Sequence, residues 1–197
     1  MASDACDALG FDRFVFIPNA SQPLKTDILT SASTTEASAQ HRLAMTRLAV
    51  IGDPRFDVDP IEVDRGGVSY SVDTVESLCE RNPTAEHVFL LGVDAARTFG
   101  QWKNPRRICE LVQVAVVTRS DVHSDAADAD FATLDHIRRA VGDDVPAPVV
   151  VKTRRVDVSS TEVRARVRAA RSIRAFVPDA VARYIGDHGL YRPVSGT

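Results

Sequence analysis

Two serines and a threonine stand together in "VDVSSTEVRARV" (156–167), between an apolar run and an arginine-rich stretch. A strand, a hydroxyl cluster and a helix in that order would set Ser159, Ser160 and Thr161 at a helix N-terminus. There amide N–H groups point outward and the helix dipole adds partial positive charge. Such a terminus receives a phosphate well. Arg164, one helical turn beyond Thr161, can send its guanidinium back to the mouth of the site and add a charge-assisted contact. The same residues also read as an ordinary helix start, with Ser159 or Ser160 as the cap and Glu162 in the first turn. Taken alone, the motif supports both readings equally.

The elements that would position these residues follow from apolar patterning. "RFVFIP" (13–18), "HVFLLG" (87–92), "VQVAVVTR" (112–119) and "APVVVKT" (147–153) are short runs, β-branched or aromatic, bounded by turn residues, and predict buried strands. Between them lie helical patterns. Residues 36–51 follow a Ser/Thr run that can cap a helix, and Leu43, Leu48 and Val50 supply its apolar face. Residues 72–81 place Val72, Val75 and Leu78 at near-helical spacing after Ser71, a capping-type residue. Strands alternating with helices predict an α/β fold with a doubly wound, mostly parallel sheet, whose ligands bind at the carboxyl ends of the strands. Residues 1–155 form the core of that domain, and 156–197 supply the hydroxyl-bearing helix and a short C-terminal helical region. "NASQPLKTDILTSASTTE" (19–36) predicts a mobile segment, and "SDVHSDAADAD" (120–130) a solvated acidic excursion lacking the ligand spacing of a calcium loop.

Composition narrows the function. The 197 residues are 44% hydrophobic and 26% charged, enough for one sizeable core, and their net charge of -3 argues against a general nucleic-acid or anionic-membrane binder. Any anion site must be local. Cys6, Cys79 and Cys109 are too widely spaced for a zinc knuckle and odd in number, which fits reduced packing thiols. The five histidines lack the i, i+4 pairing of helical metal sites. No apolar run spans a bilayer and no signal peptide opens the chain, so a cytoplasmic protein is expected.

Six blocks in order, from about Phe14 to Arg192, resemble the bacterial nicotinate-nucleotide adenylyltransferases. "VSSTEVRARV" is similar to their I-S-S-T-x-I-R signature, and "GVDAARTFGQW" to their G-x-D…F…W segment. "VSYSVDTVESL" is similar to S-Y-T-x-D-T-L, and "FIPNASQPLK" to F-I-P…P-P-H-K. "HRLAMTRLAV" resembles R-x-x-M-x-x-L-A, and "SIRAFVPDAVARYIGDHGLYR" the tail V-P…V…Y-I…L-Y. The resemblance implies a Rossmann-like nucleotidyltransferase fold and transfer of AMP from ATP, with magnesium, to nicotinate mononucleotide.

It also implies roles. Ser159, Ser160, Thr161 and Arg164 would hold the ATP phosphates, with Gly92, Asp94 and Arg119 on the ATP side at the strand ends. Tyr70, Ser71, Trp102 and Lys25 would face the mononucleotide, Trp102 stacking on its ring. Without the resemblance, Trp102 reads more readily as a packing anchor.

The sequence departs from the family pattern in places. "QPLK" puts Gln22 and Leu24 where the family has proline and histidine. Lys103 follows Trp102 where an aromatic is sometimes found. The glycine-rich G-G-[ST]-F-D-P-x-H-x-G-H opening, with two phosphate-binding histidines, has no counterpart in these residues, and "MASDACDALGFDRF" resembles the helix that follows it. The favoured expectation is therefore that Met1 is an internal methionine of a longer enzyme; the alternative is a non-catalytic nucleotide-binding remnant. In the family that opening also supplies a central strand, so the residues given are not expected to make a stable monomer, and a homo-oligomer is a further expectation.

Overall fold

β-Branched and aromatic side chains fit a pleated, buried surface, which is why the short apolar runs become strands. The computed structural model describes residues 1–21, 37–120, 126–154 and 156–193. In chain order its elements are α1 (Ala2–Leu9), β1 (Phe14–Phe16), α2 (Ala39–Val50), β2 (Phe56–Val58), α3 (Ile61–Arg65), α4 (Ser71–Arg81) and β3 (Val88–Gly92). These are followed by α5 (Val93–Thr98), a 3-10 turn (Phe99–Gln101), α6 (Pro105–Leu111), β4 (Gln113–Ser120), α7 (Ala126–Val141), β5 (Val149–Arg154), α8 (Ser160–Arg168) and α9 (Asp179–Asp187). They divide into two compact units, Met1–Asp12 with Tyr70–Val156, and Arg13–Ser69 with Asp157–Thr197. Among the described residues every strand pairing is parallel, as the alternating pattern predicts.

The first unit holds the three-stranded sheet β3-β4-β5. Leu91, Val114 and Val116 project from its strands into a core with Val72 and Val75 of α4, Ile108 of α6 and Ile137 of α7. Phe99, fully buried, sits in the same cluster. α1 lies against β5, where Asp4 accepts hydrogen bonds from Arg154 at 2.6 and 3.0 Å.

That guanidinium pulls the Asp4 carboxyl from its usual 3.8 to about 2. Arg106, at 2.6 and 2.7 Å, likewise holds Asp144 at about 2. Folded-state values below the unfolded ones contribute stability above about pH 4 that is lost as pH falls through 2. Asp4→Asn is therefore expected to flatten the loss of urea stability between pH 4 and pH 2, measured as the unfolding midpoint at each pH.

Gly100 in the 3-10 turn packs on α7 so closely that an added Cβ would stand 2.8 Å from the Ala140 Cβ. Gly100→Ala is expected to lower stability by about 1–3 kcal/mol through overpacking. Gly186, in α9 with open space around its Cα, is expected to gain about 0.5–1 kcal/mol on the same change. Urea midpoints of the two variants check both.

The second unit holds β1 and β2, paired in the register Phe14↔Phe56 and Phe16↔Val58. The rings of Phe14, Phe16 and Phe56 meet at centroid separations of 4.7 to 5.8 Å. α2 packs on β2 and α9, and Val163 of α8 joins Ile173, Val181, Ile185 and Leu190 in this unit's core. Ser38 caps α2, accepting from the His41 amide at 3.3 Å.

Three expectations change. The acidic stretch 120–130 is not wholly an excursion, because α7 begins at Ala126. Its alanines favour helix, and Ile137 and Val141 bury the following turns. Ser71 does not cap α4 but is its first residue, with Tyr70 in the N-cap position and no side-chain cap. Asn19–Ser21, the start of the segment expected to be mobile, is held: Arg42 donates to the Asn19 and Ala20 carbonyls at 2.5 and 3.0 Å, and the Ala20 amide donates to Ser69 Oγ at 3.0 Å. Residues 22–36 lie outside those described. No helix among the described residues is long and apolar enough to cross a membrane.

Candidate active site

At the start of α8 the apolar Val158 enters the second core and the chain turns into helix at Ser159. Ser159 is the N-cap, its hydroxyl accepting from the Glu162 amide at 3.1 Å, and the Val163 amide donates to its carbonyl at 3.0 Å. Its hydroxyl is thereby committed to the cap. Ser160 and Thr161 are exposed at the first turn, where the leading amides of a helix have no intrahelical partner. Arg164 turns back along the helix and donates to Thr161 Oγ1 at 3.3 Å, the direction that its spacing predicts. Hydroxyls, amides and a guanidinium thus share one helix end. Glu162, in the same turn, is favourable to the dipole but competes with a bound anion.

In the first unit β3 runs straight into α5 through Gly92, which is exposed. Gly92 has an ordinary negative φ of -73°, and a Cβ there would meet nothing within 4 Å. Its smoothness is therefore available to a ligand and is not needed by the turn. Asp94 is fully exposed in the first turn of α5, 3.7 Å from Arg97. Arg119, opposite Thr153, lies near the carboxyl end of β4, as Gly92 does on β3. Carboxyl ends of parallel strands are where ligands of such sheets bind. Nothing is described of the Arg119 side chain.

Trp102 and Tyr70 both pack, partly buried, against the first unit's core. The indole ring lies 5.3 Å from the Phe99 ring and 6.2 Å from that of Phe89, and donates to Thr98 Oγ1 at 3.4 Å. Trp102 therefore does act as an anchor, while remaining only partly buried. Ser71 follows Tyr70 as the first residue of α4. Lys25 lies outside the described residues.

One grouping escapes sequence reasoning. Lys103 Nζ sits 4.6 Å over the Tyr70 ring and 3.0 Å from Asp73, tying the turn after Trp102 to α4. Lys103 and Asp73 are thirty residues apart, so no local spacing could show the pair. Cys109 is buried, and burial raises its thiol to about 11, while burial also raises Cys79. Neither is poised as a nucleophile.

Residues 1–166 match the cytidylyltransferase-like family model, which puts the chain in the nucleotidyltransferase class. A relative from Gemmatimonas aurantiaca, named probable nicotinate-nucleotide adenylyltransferase, is 44% identical over 98% of this chain and 84% of its own length. One of the same name from Salinibacter ruber is 42% identical over 95% of this chain and 86% of its own. The chain belongs to the bacterial nicotinate-nucleotide adenylyltransferase family. Its fold is that of the solved Plasmodium falciparum nicotinic acid mononucleotide adenylyltransferase complexed with NaAD. That match has a TM-score of 0.67 and 14% identity, and covers 95% of this chain and 87% of that one.

Proposed function

We propose that this protein transfers AMP from ATP to nicotinate mononucleotide, giving deamido-NAD and pyrophosphate in NAD biosynthesis, in the cytoplasm. The observation that carries the reading is the α8 start, where exposed Ser160 and Thr161, with a guanidinium turned back onto Thr161, follow a capping serine. The names of relatives at 42% and 44% identity support the choice of substrates.

In this reading a phosphate oxygen of the mononucleotide attacks the α-phosphorus of ATP, the bond from that phosphorus to the β-bridging oxygen breaks, and pyrophosphate leaves. No protein nucleophile is required. The protein's work is positioning and stabilising charge on the phosphates. Ser160, Thr161 and the leading α8 amides hold the phosphate chain, Ser159 fixes the helix start by its cap, and Arg164 offsets charge growing on the leaving group. Gly92 admits the nucleotide to the strand end, with Asp94 and Arg119 serving its ribose and phosphates. Trp102 offers a stacking face to the pyridine ring, flanked by Tyr70 and Ser71, and Lys25 serves the mononucleotide phosphate.

Magnesium would be carried on the ATP phosphates and would offset their charge there; the amide and guanidinium donors of the α8 start suit phosphate oxygens and not a metal ion. The 197 residues contain no His-x-Gly-His sequence; among them charge stabilisation falls to Arg164 and the α8 terminus, with Arg119 and Lys25. Residues 156–197 then act as the phosphate-binding helix and tail of the domain whose core is 1–155, and self-association of the chain is part of the same reading.

The test compares acceptors. Protein expressed from its full reading frame should release pyrophosphate from ATP with nicotinate mononucleotide. Pantetheine phosphate should yield none, and turnover of that acceptor alone would transfer the chain to a sister activity.

A further inference from the structure

At the opposite end of α8 from Ser159, the second unit has a groove of about 680 Å³ whose lining includes Arg168, Arg171, Arg174, Arg183 and Arg192 and no carboxylate. Its floor is apolar, with Ile173 and Ile185 belonging to the buried core. Ser160 and Arg168 are separated by eight residues of helix, about 12 Å along the axis. Residues 164–192 carry seven arginines against Asp179 and Asp187, in a chain whose net charge is -3. The positive charge is concentrated here.

Helix electrostatics explains only part of this. Arg166 and Arg168 lie in the last turn of α8, where cations complement the dipole. Arg166 is also occupied structurally, donating to the Ser172 carbonyl at 2.8 Å and lying 4.3 Å over the Phe176 ring. Arg171, Arg174 and Arg183 lie beyond that helix, and among the described residues their guanidinium groups have no acidic or hydrogen-bonding partner. Three cations without a partner among the described residues, all lining one groove, repel each other, and an anion relieves that repulsion.

We propose that this groove binds the oligophosphate chain of a small molecule, separately from the Ser159–Arg164 site. Guanidinium forks match phosphate oxygens two at a time. A single exposed pair is weak in water, so useful affinity requires several linked phosphate charges contacting several arginines together. A lone carboxylate or monophosphate meets too few of them. The apolar floor leaves room for a ring carried on the chain, so the source is either inorganic oligophosphate or a nucleoside polyphosphate.

The test is isothermal titration of the full chain with inorganic tripolyphosphate, at 50 and 200 mM salt, for the unaltered protein and three variants. Two sites are expected in the unaltered protein, this groove and the Ser159–Arg164 site; R164A should keep the groove site with its affinity changed less than twofold, and R171A/R174A/R183A should weaken that site at least tenfold, as should the higher salt. R171K/R174K/R183K, which keeps the charge but not the forks, should fall between. ATP titrated into R164A distinguishes the sources. Displacement of tripolyphosphate by ATP assigns the groove to a nucleotide, and no displacement assigns it to inorganic oligophosphate. The proposal is overturned if tripolyphosphate does not bind, or if its binding is lost in R164A and unchanged in R171A/R174A/R183A with circular dichroism unaltered.

Discussion

Replacing Arg164 by alanine is expected to lower kcat/KM for ATP about a hundredfold, the scale on which removal of one preorganised donor acts in acyl transfer. The side chain is half-exposed and its described partner is the Thr161 hydroxyl, so the unfolding free energy should change by no more than about 0.5 kcal/mol. The two readouts separate a charge-stabilising role from a structural one. Lysine at 164 should recover part of the loss, because it restores the charge but not the fork. Steady-state kinetics at varied ATP, beside urea unfolding of the same samples, make the comparison. A fall in stability matching the fall in activity would return the α8 start to the ordinary-cap reading.

The largest effect on stability is expected at Phe99. Its ring is fully buried, among Leu91, Ile108, Val116 and Ile137, and touches Trp102. Phe99→Ala removes its apolar burial and leaves a cavity that close-packed neighbours fill only in part, at a cost of about 3–5 kcal/mol. Domains are commonly stable by about 5–15 kcal/mol, so about a fifth or more of the total is at stake. The change should also loosen the indole that packs on Phe99, raising KM for the mononucleotide. Chemical unfolding monitored by the fluorescence of Trp102, the single tryptophan, reports both the stability and the indole's surroundings.

What the sequence shows of this fold follows how far each element's signal extends along the chain. Strands β3, β4 and β5 are five to eight residues of β-branched and apolar side chains, long enough to announce themselves. β2 is three residues, Phe56–Val58, and owes its strand to pairing with β1, a partner forty residues away that no window contains. α7 was masked by its acidic first turns, although Leu134, Ile137 and Val141 carry the helical spacing just beyond. Ser71 looks like a cap by type, but the backbone enters α4 one residue earlier, at Tyr70.

The candidate site divides along the same line. Ser159 as a cap and the return of Arg164 toward Thr161 are consequences of helical spacing and were legible. The Lys103–Asp73–Tyr70 grouping joins a turn to a distant helix and needed the fold. Substrate roles came from block-by-block resemblance, because a hydroxyl-rich helix start specifies phosphate chemistry without naming the phosphate's owner.

The central claim is that the chain joins AMP to nicotinate mononucleotide, and product identification tests it most directly. Protein expressed from its full reading frame is incubated with ATP, magnesium and nicotinate mononucleotide, and the products are resolved by mass spectrometry and phosphorus NMR. Deamido-NAD and pyrophosphate formed in equal amounts are predicted, with neither formed when the mononucleotide is omitted. ATP bound without turnover, or ATP cleaved with no dinucleotide formed, would contradict the account.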